Sequence, residues 1–167
     1  KMAGLTFAGD FLKAVIASLF GRLLFGYYGA MVAGLFCFLG HIFPCFYKFK
    51  GGKGVVTACA MILLTNWRAF LILFAVFLLT VLVTRYISLG SVLALMLYPF
   101  VLDRFGQKGF SVLIAFIVMV MGVAVHWKNI KRIMNRTESK FTLKVKDKNP
   151  SDKPGINEDN DKSGGNE

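Results

Sequence analysis

Three short stretches of this 167-residue chain carry side chains whose types and spacing suit chemistry. The first is Gly51, Gly52, Lys53 and Gly54, preceded by Lys48 and Lys50 and followed at once by an apolar run from Val55. Glycines let the backbone turn sharply and expose amide donors, the next helix offers its positive N-terminal end, and Lys53 adds a full charge, so the set suits a phosphate. It is not a Walker A loop, because Gly54 stands where Ser or Thr would follow the lysine. The same residues suit a positive topogenic loop lying on lipid headgroups.

The second stretch holds Ser91, just past Leu89 and Gly90. A hydroxyl there either joins the same mouth or bonds its own helix backbone. The third runs from His126 through Asn129, Arg132, Arg136 and Glu138 to Lys140. His126 and Asn129 stand at i, i+3, so an imidazole and an amide can face one ligand as hydrogen-bond donors to a phosphate or carbonyl oxygen. An interfacial belt of His126 and Trp127 with basic anchors accounts for the placement equally well.

Two further groups are read as structural. Asp10 and Lys13, at i, i+3 in an apolar segment, suit a compensating ion pair, and no second intramembrane acid continues a proton relay. His41 between Cys37 and Cys45 lacks a fourth ligand, and Pro44 disturbs the helical face, so no metal site is expected. The three cysteines read as small apolar residues, not as a disulfide framework.

The elements that must position these groups are membrane helices. The chain is 56% hydrophobic with 17 Phe, and residues 1–127 carry only two acids, Asp10 and Asp103. So little polar surface cannot cover a soluble core, which points to lipid as the solvent. Six candidate spans follow: Ala3–Phe20, Leu23–Ile42, Val55–Trp67, Ala69–Thr84, Ile87–Leu102 and Phe110–Trp127, the third short and the fifth with a possible seam at Leu89 and Gly90. The expected fold is therefore an all-α polytopic bundle. If the spans alternate, 15 of the 20 basic residues share one side with the Gly-rich loop and the C-terminus, and four lie on the other, which makes the first side cytoplasmic. Residues 1–140 form the membrane domain, and 141–167 form a polar tail with too little apolar surface to fold.

The stretches GHIFPCFYKFKGGKGVVT, RYISLGS and HWKNIKRIMNRTESK, in that order and at these intervals, resemble the bacterial integral-membrane glycerol-3-phosphate acyltransferases that use acyl phosphate as donor. The resemblance runs over about Lys1–Lys140 and excludes the tail. It implies a bacterial inner-membrane enzyme whose site faces the cytoplasm. The implied reaction transfers a fatty acyl group to the 1-hydroxyl of glycerol 3-phosphate, without coenzyme A, metal or other cofactor. The implied partners are the two phosphate substrates and membrane lipids, with no nucleic acid. By motif matching, Ser91, His126 and Asn129 fall on catalytic positions, and Gly51, Gly52, Lys53, Gly54, Arg85, Arg132, Glu138 and Lys140 on substrate-binding ones. Two departures are expected to matter: the family's first helix and first motif are not matched, where seven spans complete the fold, and Arg136 stands where the third motif has Gly. A membrane subunit without activity, or a small transporter of an anionic solute, remains a different reading of the same basic mouth. Against it, polar residues other than Asp10 and Lys13 stop at the ends of the spans.

Overall fold

The computed structural model describes residues 2–44 and 51–140; Lys1, Cys45, Lys48, Lys50 and the expected tail at 141–167 lie outside the described residues. Among the described residues every regular element is helical, as an all-α bundle requires. Helix α1, Met2–Ile42, is broken at Phe25 and Gly26, where Gly26 takes φ 64° and ψ −148°. Its arms, 2–24 and 27–42, fold back on one another. Lys13 Nζ lies 3.0 Å from His41 Nδ1, and Gly21 and Gly29 approach so closely that a Cβ on either would strike the other's carbonyl oxygen. The sequence reading put this break at Gly21 and Arg22. Gly21 instead serves the close packing of the arms, and Gly26 supplies the positive φ that a side chain would resist.

Helix α2, Val55–Thr65, has 11 residues, roughly 16 Å at the helical rise of about 1.5 Å per residue, well short of a bilayer core of about 30 Å. Asn66 ends it in an extended conformation and caps α3, Trp67–Thr84, by accepting from the Ala69 amide at 3.1 Å. Helix α4 is Ile87–Arg104 and α5 is Phe110–Val125, with α6, Trp127–Met134, bent 55° from α5. Helix α4 continues through the expected seam, because Gly90 is used to admit Phe77 of α3: a Cβ there would lie 2.9 Å from the Phe77 carbonyl oxygen.

The α1 stretch, α3 and α4 are long and apolar enough to cross a membrane, and α5 with α6 forms a fourth, bent candidate. Met31, Phe38, Met61, Leu95, Tyr98 and Leu102 are buried between the helices. By contrast Leu23 and Val83 are more than 80% exposed, along with much of the outer face of α3. Water would penalise such a surface and lipid does not.

Contacts sort the turns onto two ends. Arg22 Nη1 donates to the Leu64 carbonyl at 3.0 Å, and the Tyr28 ring meets Phe110 edge-on at 6.0 Å. The hairpin tip, the α2–α3 joint and the start of α5 therefore share one end. Gly51–Gly54, the α3–α4 joint and the α5–α6 joint gather at the other. The grouping is the one that alternating spans require.

Candidate active site

A cavity of about 670 Å³ opens at that second end, lined by Lys53, Ser88, Ser91, His126, Glu138, Ser139 and Lys140 among its polar residues. All three sequence stretches thus meet in one place. Val55 and Val56, the first residues of α2, line it too. Gly54 precedes them at φ 71°, and a Cβ there would lie 2.5 Å from Phe38, so geometry and space both demand glycine. The turn brings the N-terminal end of α2, with amides that have no helical partner, to the cavity beside the Lys53 ammonium.

His126 lies past the last residue of α5 and is 1% exposed. Its Nδ1 lies 2.7 Å from the Gly122 carbonyl oxygen, which can only accept, so the ring carries its proton on Nδ1. A neutral His126 therefore has a bare Nε2. That revises the expected donor role: Nε2 of the neutral ring accepts a hydrogen bond, and only an imidazolium would donate from it.

Glu138 is the junction of the third stretch. Its Oε1 accepts from Ser88 Oγ at 2.7 Å and from Asn129 Nδ2 at 2.6 Å, while Oε2 lies 3.4 Å from Arg132 Nε. The Ser88 hydroxyl first, and the Asn129 amide second, hold its carboxyl below the usual glutamate range. The stability this contributes is present above the ordinary glutamate pKa and is lost as pH falls through the lowered one. Asn129 accordingly stands behind Glu138 and does not line the cavity.

The other expected residues divide. Ser91 lines the cavity while its Oγ bonds the Ile87 carbonyl at 3.1 Å, so both readings of it hold together. Lys140 lines the cavity. Gly51 and Gly52 shape the turn, and Gly52 N donates to the His41 carbonyl at 3.2 Å. Arg85 is not brought in: it caps α3 at φ 61°, and its side chain is exposed outside the cavity lining. Sequence reasoning missed Ser88 and Ser139. Ser88 lies three residues before Ser91, on the same helical face, which was an available signal.

Arg136 takes φ 56°, the conformation for which glycine is suited. Around it Thr137 N donates to Arg132 O at 2.8 Å and Arg136 N to Ile133 O at 3.0 Å, a Schellman closure of α6. The turn forms despite the arginine, and Glu138 reaches its partners. The cost is conformational. We expect Arg136→Gly to raise stability by about 0.5–1 kcal/mol, the strain relieved exceeding the added unfolded-state entropy, with turnover unchanged. A thermal melt checks it, and a lower melting temperature would refute the strain.

Beside the polar cavity lies a second, of about 370 Å³, with an almost wholly apolar lining. Phe70, Phe74 and Phe77, stacked along α3 with centroids 5.7 and 6.2 Å apart, form one wall. The two cavities share Phe7, Val55, Val56, Phe77 and Ser91, so a charged mouth continues into an oily groove. Among the described residues no group of three His, Cys, Asp or Glu is placed to hold a metal.

A family profile described as glycerol-3-phosphate acyltransferase matches residues 1–136. The glycerol-3-phosphate acyltransferase of Finegoldia magna is 37% identical over 145 residues, covering 84% of this chain and 72% of that protein. The enzyme of Nitrobacter winogradskyi is 38% identical over 144 residues, covering 86% and 73%. Crystal structures of PlsY (YgiH), an integral membrane glycerol 3-phosphate acyltransferase, in its glycerol 3-phosphate and lysophosphatidic acid forms, superpose with a TM-score of 0.79 at 33% identity. They cover 85% of this chain and 72% and 74% of those chains.

Proposed function

The chain belongs to the glycerol-3-phosphate acyltransferase family of integral-membrane enzymes, and from that premise we propose that its acyl donor is acyl phosphate and its product 1-acylglycerol 3-phosphate. In this reading the 1-hydroxyl of glycerol 3-phosphate attacks the acyl carbonyl, the carbon–oxygen bond to phosphate breaks, and inorganic phosphate leaves with the hydroxyl proton. The observation that carries the reading is the continuity of the two cavities through Phe7, Val55, Val56, Phe77 and Ser91. An acyl phosphate has one doubly charged end and one oily end, and only a site with both characters side by side seats it without burying a charge unpaired.

Such a donor carries a good leaving group, so positioning and charge stabilisation matter more than a strong base. Lys53 and the start of α2 supply positive potential to a phosphate. Neutral His126 accepts from the attacking hydroxyl through Nε2 and passes the proton to the departing phosphate. Glu138, held by Ser88, Asn129 and Arg132, fixes the segment that carries Ser139 and Lys140 to the mouth. The test is turnover by the purified full-length enzyme in proteoliposomes with glycerol 3-phosphate and, in turn, palmitoyl phosphate, palmitoyl-coenzyme A and acyl carrier protein loaded with palmitate. Activity with palmitoyl phosphate alone is expected. Equal activity with a thioester donor would remove the acyl-phosphate assignment.

The mouth faces the cytoplasm in this reading, supported by the 15-to-four division of basic residues. With the native cysteines replaced, Lys128→Cys and Lys108→Cys place single thiols at exposed positions on opposite ends. An impermeant maleimide on intact cells should label position 108 and leave 128 unlabelled until the membrane is opened. The reverse pattern would invert the orientation.

A further inference from the structure

In the sequence the Asp10–Lys13 pair and His41 stood as separate structural features, and the α1 hairpin brings them together against the Gly-rich turn. Lys13 Nζ donates to Asp10 Oδ1 at 2.7 Å and lies 3.0 Å from His41 Nδ1. Nδ1 also lies 3.3 Å from Asp10 Oδ1. An ammonium can only donate, so the shorter contact makes Nδ1 an acceptor and puts the ring proton on Nε2; a bond from Nδ1 to Asp10 would need the opposite tautomer. The far edge of the same ring sits on the turn: a Cβ added at Gly52 would collide with His41 at Nε2. The His41 carbonyl accepts from the Gly52 amide at 3.2 Å, so ring and backbone hold one glycine together.

We infer that Asp10, Lys13 and His41 form a positioning relay in which the Asp10–Lys13 pair orients the imidazole through Nδ1 and the far edge of the ring, packed on Gly52, holds the Gly51–Gly54 turn in its phosphate-binding shape. The inference rests on the reading of that turn and Lys53 as a phosphate site. None of the three residues lines the polar cavity. Gly52 then has two duties: to leave room for the imidazole and to give its amide to the His41 carbonyl in the last turn of α1. A purely structural ion pair would not need the histidine ring to end on the turn.

The experiment compares full-length wild type with Lys53→Ala, His41→Ala, His41→Gln, His41→Asn and Lys13→Met in proteoliposomes, measuring kcat and KM for palmitoyl phosphate and for glycerol 3-phosphate. Lys53→Ala identifies the substrate whose KM reports the loop. His41→Ala is expected to raise that same KM about threefold to tenfold, as the loss of the contact that shapes the turn would, with the other KM and kcat moved less. Glutamine carries its amide nitrogen to about the position of Nε2 and should bring KM back to within about twofold, whereas asparagine reaches only to Nδ1 and should not. Lys13→Met should shift the same KM in the same direction, since Nδ1 loses the donor that orients the ring.

A raised KM in Lys53→Ala with an unchanged one in Lys13→Met overturns the relay and leaves the phosphate site standing. Equal rescue by glutamine and asparagine also overturns it, because only a side chain that reaches the Nε2 position would meet the turn. If Lys53→Ala changes neither KM, the phosphate-site reading fails and the relay falls with it. Lys13→Met keeps the test open should His41→Ala not accumulate in the membrane, because it leaves the imidazole in place.

Discussion

His126→Ala is expected to lower turnover of palmitoyl phosphate with glycerol 3-phosphate by about 10²–10³-fold while leaving both KM values within a few-fold of wild type. The Gly122 carbonyl, 2.7 Å from Nδ1, commits one ring proton and aims the other nitrogen. With Nδ1–H spent, neutral Nε2 has a lone pair for the hydroxyl that attacks. In the proposed reaction it would align that hydroxyl and remove its proton as the bond to the acyl carbon forms. Both effects exist in the transition state and little in the ground state, so kcat carries the loss. The pH profile separates this role from that of a charged donor. A proton acceptor must be neutral, so activity should hold from pH 9 downward and fall below about 6.5, the ordinary histidine value. His126→Gln should be slow and flat over the same range. An imidazolium donor predicts the opposite slope, with activity rising toward acid, and that result would return His126 to the donor role its spacing with Asn129 suggested.

The lining of the candidate site was more legible in the sequence than the contacts within it. Residue type and spacing singled out Lys53, Ser91 and His126, and one cavity contains all three. Local patterns fail where a residue's partner lies far along the chain. Glu138 takes its meaning from Ser88, 50 positions away, and no periodicity links the two. Asn129 shares a helical face with His126, yet its amide is turned to Glu138, 2.6 Å away, because a carboxylate that must be neutralised offers a better acceptor than an open cavity. Lys13 and His41 are 28 residues apart, and only a hairpin of the right length joins them. The hairpin's tip was misplaced because two of its glycines have different uses, packing at Gly21 and a positive φ at Gly26, which composition does not distinguish. Arg85 shows the converse. A cation near the mouth in sequence was spent on ending α3 in a left-handed residue, which turned its side chain outward.

Lys53→Ala should cost about 10- to 150-fold in kcat/KM, the equivalent of losing a charge-assisted bond of about 1.5–3 kcal/mol. The lysine follows two glycines and precedes a third that is locked at φ 71°, so the ammonium is carried on a short, fixed turn at the head of α2. Rigid placement matters here, because a lysine on a mobile loop would first have to be ordered by its ligand. The start of α2 remains in the variant, so part of the positive potential persists and the effect should stay below complete loss. Lys53→Arg tests the nature of the contact. A bidentate guanidinium is wider than an ammonium, and the turn brings the backbone close, so arginine should recover less than half of the lost free energy. Raising ionic strength should weaken the wild-type enzyme only modestly, because a phosphate held within the cavity is shielded from counterions. A topogenic loop that only marks the cytoplasmic side predicts a different set of results: less protein inserted, a steep salt effect on membrane association, and normal kinetics in whatever inserts. Near-normal kcat/KM in correctly inserted Lys53→Ala would therefore take the phosphate away from this turn.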